Sequence, residues 1–97
     1  MVWTSGVWVV KPGREAEFTE AWHEFATWSL AAFPGGRAWL LRDRDRPNTF
    51  LSVGPWPDES TIARCRASDG FGERVGRIRD LLDSFEARVL DEAAIVE

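Results

Sequence analysis

The spacing of apolar residues changes repeatedly along the chain, and each change marks an element. Val2–Val10, VWTSGVWVV, is rich in β-branched and aromatic residues and predicts a strand. Lys11-Pro12-Gly13 punctuates it. Over residues 14–33 the apolar positions fall at Phe18, Ala21, Trp22, Phe25, Ser29 and Ala32. Steps of three and four predict a helix, which Pro34-Gly35-Gly36 stops. Residues 37–42, RAWLLR, and 49–53, TFLSV, predict two strands of a hairpin around the charged turn DRDRPN. Asp58 predicts an N-cap for a short helix over Glu59–Ala67. Ser68-Asp69-Gly70 breaks that helix, and a second stretch over 71–85 carries Phe71, Val75, Ile78, Leu82 and Phe85 on one face. Residues 88–96, RVLDEAAIV, predict the last strand.

The order is β-α-β-β-α-β with the second helix broken. It predicts an α+β fold of the ferredoxin-like type, with helices on one face of an antiparallel four-stranded sheet. No linker or repeat divides the 97 residues, so one domain over 1–97 is expected. Such a sheet should alternate apolar and polar positions, but the first strand does not. Thr4, Gly6, Trp8 and Val10 share one face, and Trp3, Ser5, Val7 and Val9 the other. Residues 38–41, AWLL, repeat the pattern, with Ala38 and Leu40 on one face and Trp39 and Leu41 on the other. An apolar patch on the open face marks an interface, and two sheets packed face to face make a homodimer the expected partner arrangement.

Charge and composition narrow the function. Twelve Lys+Arg against 16 Asp+Glu argue against nucleic acid or an anionic membrane as partner. One cysteine allows no internal disulfide. The N-terminus lacks a basic segment followed by an apolar one, and no apolar run reaches the roughly 20 residues of a membrane span. A soluble cytoplasmic protein is expected. Six Trp and six Phe with no Tyr fit either a core filled with large rings or an aromatic-lined cavity for a flat ligand.

Few residues could carry acid-base chemistry. His23, the only histidine, lies about 140° around the helix from Phe18 and is expected on the solvent side. One His and one Cys do not make a metal site, which needs three or four convergent ligands. Gly70-Phe71-Gly72 and Gly35-Gly36 lack the strand-to-helix context of a phosphate loop. A cavity between helices and sheet would be walled by Thr4, Gly6 and Trp8 from the first strand. Trp22, Phe25 and Trp28 would come from the first helix, and Cys65, Phe71, Val75 and Ile78 from the broken second helix. Whether these residues line an open cavity or fill the core stays open at the level of sequence.

VWTSGVWVVKPGREAEFTEAW, LLRDRDRPNTFLSVGPW, IARCRASDGF and LLDSFEARVL together resemble the antibiotic-biosynthesis monooxygenase domain, over nearly the whole chain. The resemblance implies a dimeric α+β barrel. It also implies oxidation of a polyketide-like aromatic or quinol by O₂ with no cofactor. A haem-degrading branch of the superfamily uses an Asn, a Trp and a His at positions that here are Gly6, Cys65 and Val75. Without an imidazole at Val75, haem is not expected to be held in that way. Cys65, with no His partner, reads as a small buried residue where relatives carry an indole. Two other readings stand beside the oxygenase: a non-catalytic dimeric binding or stress-associated module, and a cofactor-free cyclase or isomerase.

Overall fold

The computed structural model describes residues 1–97. Three helices cover one face of a four-stranded sheet: β1 (Val2–Val10), α1 (Glu15–Ala32), β2 (Trp39–Arg42), β3 (Thr49–Trp56), α2 (Glu59–Ala67), α3 (Asp69–Arg79) and β4 (Leu82–Asp91). All strand pairs are antiparallel, in the order β2-β3-β1-β4. This is the α+β ferredoxin-like arrangement expected from the sequence.

The last third of the chain departs from expectation. The final helix ends at Arg79, not at residue 85, and β4 starts at Leu82 and ends at Asp91. Leu82 and Phe85 therefore belong to the sheet, opposite Val10 and Trp8. Their spacing of three fits a helix face, but backbone pairing with β1 decides otherwise. Residues 92–96, expected in the strand, are exposed and outside it. β3 runs three residues further than expected, through Gly54 and Pro55 to Trp56. Pro55 has no N–H to donate; its carbonyl accepts from the Arg37 amide at 3.3 Å. The break between α2 and α3 is Ser68 alone, which closes one helix and caps the next by accepting from the Phe71 amide at 3.3 Å.

β1 and β3 are central, and their inner faces divide the layer between sheet and helices into two halves. At one end Val10, Phe50, Phe18, Ile78 and Leu81 form a closed core. Phe18 rings pack at 5.5 Å from Trp8 and 5.0 Å from Phe50. At the other end the facing positions are small: Thr4 opposite Gly54, and Gly6 opposite Ser52 on β3 and Ala87 on β4. Gly54 is required sterically, because a Cβ there would run into the Arg37 carbonyl oxygen.

The open face of the sheet carries Val7, Leu51, Leu41 and Trp39, all more than a third exposed. Charge there comes from the Glu86–Arg88 ion pair, from the Arg37 guanidinium 4.8 Å over the Trp39 ring, and from Glu92, which accepts from Trp3 Nε1 at 3.1 Å. No helix is long and apolar enough to cross a membrane.

At the start of α2 the Asp58 carboxylate accepts from the Thr61 amide (2.8 Å), the Thr61 hydroxyl (2.7 Å) and the Ser60 hydroxyl (2.8 Å). The Thr61 bonds first, then Ser60, hold its carboxyl below the ordinary aspartate value. The cap is therefore fully formed above that ordinary value and is lost as pH falls through the lower folded one. Asp58→Ala should lower Tm at neutral pH, and the gap from the parent should close as the buffer is acidified, read by circular dichroism melts from pH 7 to 2. A gap that stays constant would mean that the carboxylate does not carry the cap.

Candidate functional site

The small residues of β1 and β3 leave a cavity of about 300 Å³ between the sheet and the helices. Its floor is Thr4, Gly6, Ser52, Gly54 and Ala87. Trp56 bounds it at one end and Trp8 at the other. Phe85 stands beside Trp8, with ring centroids 4.1 Å apart in a stacked pair. Trp22, Phe25 and Ser29 of α1, Ile62 and Cys65 of α2, and Phe71 and Val75 of α3 form the walls and roof. Phe25 and Phe71 meet edge to face at 5.7 Å.

Each bounding indole is fixed by a hydroxyl from the neighbouring strand. Trp8 Nε1 donates to Ser52 Oγ at 2.8 Å, and Trp56 Nε1 donates to Thr4 Oγ1 at 3.0 Å. Gly6 makes the first bond possible. Trp8 is two residues along the same face, and its ring lies back over Gly6. A Cβ at position 6 would sit 2.8 Å from Trp8 Nε1 and 2.9 Å from Ser52 Oγ. An indole N–H is a donor only, so it uses a lone pair of each hydroxyl and leaves the hydroxyl proton unspent. Both hydroxyls belong to the cavity floor, and neither passes its proton to a protein acceptor. The site therefore offers two hydrogen-bond donors beneath an aromatic enclosure.

Eight of the ten residues singled out from the sequence line this cavity: Thr4, Gly6, Trp8, Trp22, Phe25, Cys65, Phe71 and Val75. Two do not. Ile78 is fully buried in the closed core beside Leu81. Trp28 lies about 120° around α1 from Trp22; it packs on Gly70 and under the Arg74 guanidinium, 4.5 Å from its ring centroid. Cys65 is 2% exposed, and its Sγ lies 3.6 Å from Ser29 Oγ. A thiol in that setting is a small wall group. His23 is exposed on the far side of α1, among Glu20, Glu24 and Arg77.

Sequence reasoning missed Ser52, Gly54, Trp56, Phe85 and Ala87. Their signal is the register of β3 and β4 against β1, which periodicity does not supply. The motif Ser52-Val53-Gly54-Pro55-Trp56 does alternate small and aromatic residues on one face.

Fold and cavity together define a ferredoxin-like α+β domain with a cavity between its layers. Residues 1–77 match the family model for antibiotic biosynthesis monooxygenase, and the chain belongs to that family. Among solved structures it is similar to SnoaB, a cofactor-independent oxygenase from Streptomyces nogalater, in its N63A form. Identity is 27% and the TM-score 0.89, over 98% of this chain and 95% of that one. The fold is also that of a putative antibiotic biosynthesis monooxygenase from Nitrosomonas europaea (18% identity, TM-score 0.83, 97% and 100% of the two chains). A third, from Deinococcus radiodurans, has 14% identity and TM-score 0.86 over 100% and 97%. No curated protein sequence matches the chain significantly.

Trp8→Phe keeps the ring against Phe85 but removes the N–H. It should cost about 1 kcal/mol, the ordinary worth of one hydrogen bond. Gly6→Ala forces the indole off Ser52 and should cost more, about 1–3 kcal/mol as overpacking, with a changed tryptophan emission maximum. Urea unfolding and fluorescence check both. Equal stability of Gly6→Ala and the parent would contradict the close approach at Gly6.

Proposed function

We propose that the protein is a cofactor-independent monooxygenase that oxidises a flat, electron-rich aromatic, an anthrone or quinol of polyketide type, with O₂. The observation that carries this reading is the floor of small residues between two hydroxyl-anchored tryptophans, in a chain of this family whose neighbour SnoaB is a cofactor-independent oxygenase. A planar ring system fits a flat floor walled by aromatic edges and faces.

For an anthrone the reaction replaces a ring CH₂ by C=O. The CH₂ loses a proton, and the resulting carbanion is the enolate of the ring ketone. One electron passes to O₂, giving a substrate radical and superoxide. The two recombine as a carbon-bound peroxide, which takes up the proton. Loss of water from that hydroperoxide leaves the new carbonyl, so one oxygen atom of O₂ enters the product and the other leaves as water. The chain contributes to the first step. The unspent hydroxyl protons of Ser52 and Thr4 can be donated to the enolate oxygen, where they favour ionisation. The aromatic walls exclude water from the radical pair.

The same reading takes two chains, joined through the apolar open faces of their sheets. Val7, Trp39, Leu41 and Leu51 would then leave water, and a sheet covered on both sides explains why apolar residues occupy both of its faces. Leu51→Asp should convert a sedimenting dimer to a monomer. A parent protein that sediments as a monomer at micromolar concentration would remove this part of the proposal.

Oxygen consumption tests the chemistry. With an anthrone in air-saturated buffer, one O₂ should be consumed per substrate, label from ¹⁸O₂ should enter the new carbonyl, and a chelator should leave the rate unchanged. Ser52→Ala and Thr4→Val should each lower kcat by about tenfold or more, as loss of an oxyanion donor does. No acceleration over buffer across a panel of anthrones and quinols would overturn the oxygenase reading. Conversion without O₂ uptake would instead mark a cyclase or isomerase.

A further inference from the structure

Acidic residues outnumber basic ones in the chain, 16 to 12. The cavity wall reverses that balance: it contains Arg37, Arg66 and Arg79 and no Asp, Glu or His. The three arginines come from three separate places, just before β2, in the last turn of α2 and at the end of α3. None of them is neutralised. The four ion pairs of the molecule use Arg14, Arg42, Arg77 and Arg88. No protein acceptor takes a hydrogen bond from the guanidinium of Arg37, Arg66 or Arg79, but that of Arg37 lies 4.8 Å from the Trp39 ring centroid, on the open face of the sheet; Arg37 meets the cavity through its backbone beside Gly54, and Arg66 and Arg79 bring the charge.

Guanidinium groups of one sign along a largely apolar concavity produce a positive potential, and the low-dielectric walls focus it. A cationic guest would be repelled and a neutral one would gain little. An oxyanion gains most, because a guanidinium can meet a carboxylate with two parallel hydrogen bonds. The floor donors have the same polarity. Ser52 and Thr4 each keep a hydroxyl proton to donate, with one lone pair taken by an indole. The charged groups at the cavity are thus all cations, and its two floor hydroxyls keep a proton to donate.

We propose that the physiological guest is an anion: a flat aromatic carrying a carboxylate or an ionised phenol, its rings over the small-residue floor and its charged group toward the arginines. This rests on the aromatic-guest reading above. It adds a selection rule that shape alone does not supply, since neutral and anionic ring systems of equal size would otherwise compete equally.

Quenching of intrinsic tryptophan fluorescence by anthraquinone-2-carboxylate and by its carboxamide tests the rule with two ligands of one shape. The carboxylate should bind about tenfold more tightly in low salt, and sodium chloride should erode that preference without weakening the amide. Arg66→Gln and Arg79→Gln change exposed side chains, so folding should persist, checked by circular dichroism; Arg37→Gln, on the open face, should leave the preference unchanged. The Arg66→Gln/Arg79→Gln double variant should lose the preference, and at least one of the two single variants should lower carboxylate affinity by about threefold to fivefold. Equal binding of carboxylate and amide by the parent would overturn the proposal while leaving the aromatic cavity standing. Binding of neither would end both. A preference retained in the double variant would also overturn it, because the charge would then be read elsewhere.

Discussion

The Trp8 indole is the piece on which the architecture turns. Its ring is held on one side by Phe85 at 4.1 Å and on another by Phe18 at 5.5 Å, and its N–H by Ser52 at 2.8 Å. That pose exists only because Gly6 has no Cβ. On one side of the indole lies the closed core of Val10, Phe18, Phe50, Ile78 and Leu81; on the other lies the cavity. A single side chain therefore separates the part of the layer that stabilises the fold from the part left open. Trp22 at 8% exposure does the same from the helical side, belonging to both the core and the cavity wall.

This division follows from side-chain size along two central strands. β1 reads Thr4, Gly6, Trp8, Val10 on its inner face, and β3 answers with Gly54, Ser52 and Phe50 opposite the first three. Helices packed over the bulky end meet a full layer. Over the small end they stand on Trp56 and Trp8 as spacers, and a void remains. Two hydroxyls keep the spacers upright, and hydrogen bonds at 2.8 and 3.0 Å make the void a defined shape and not a loosely packed core.

Much of the fold was legible because punctuation and periodicity agree over the first two thirds of the chain. The β1 and α2 ranges match the sequence reading residue for residue, and α1 differs by one residue at each end. After Ile78 they stop agreeing: Leu82 and Phe85 satisfy both a helical step and strand alternation, and only the pairing with Val10 and Trp8 resolves them. The site divides along the same line. Residues on β1 and the helices could be placed from their own periodicity. Ser52, Trp56, Phe85 and Ala87 could not, since their relevance comes from what lies across the ladder. Trp28 shows the converse error, in which residue type suggested a wall position that helical geometry denies. The wall arginines carry no sequence signal, because nothing in a charge string tells a solvated guanidinium from one that edges a cavity.

Floor and roof differ in how they are held. Thr4, Gly6, Ser52, Gly54 and Ala87 are locked into backbone ladders on both sides or between neighbours, so changing one disturbs the sheet that builds everything else. Ile62, Cys65, Phe71 and Val75 project from two short helices jointed at Ser68, and their exchange leaves every ladder bond in place. Descendants of this chain can thus retune which molecules they accept by drifting in the canopy, while the platform beneath stays invariant.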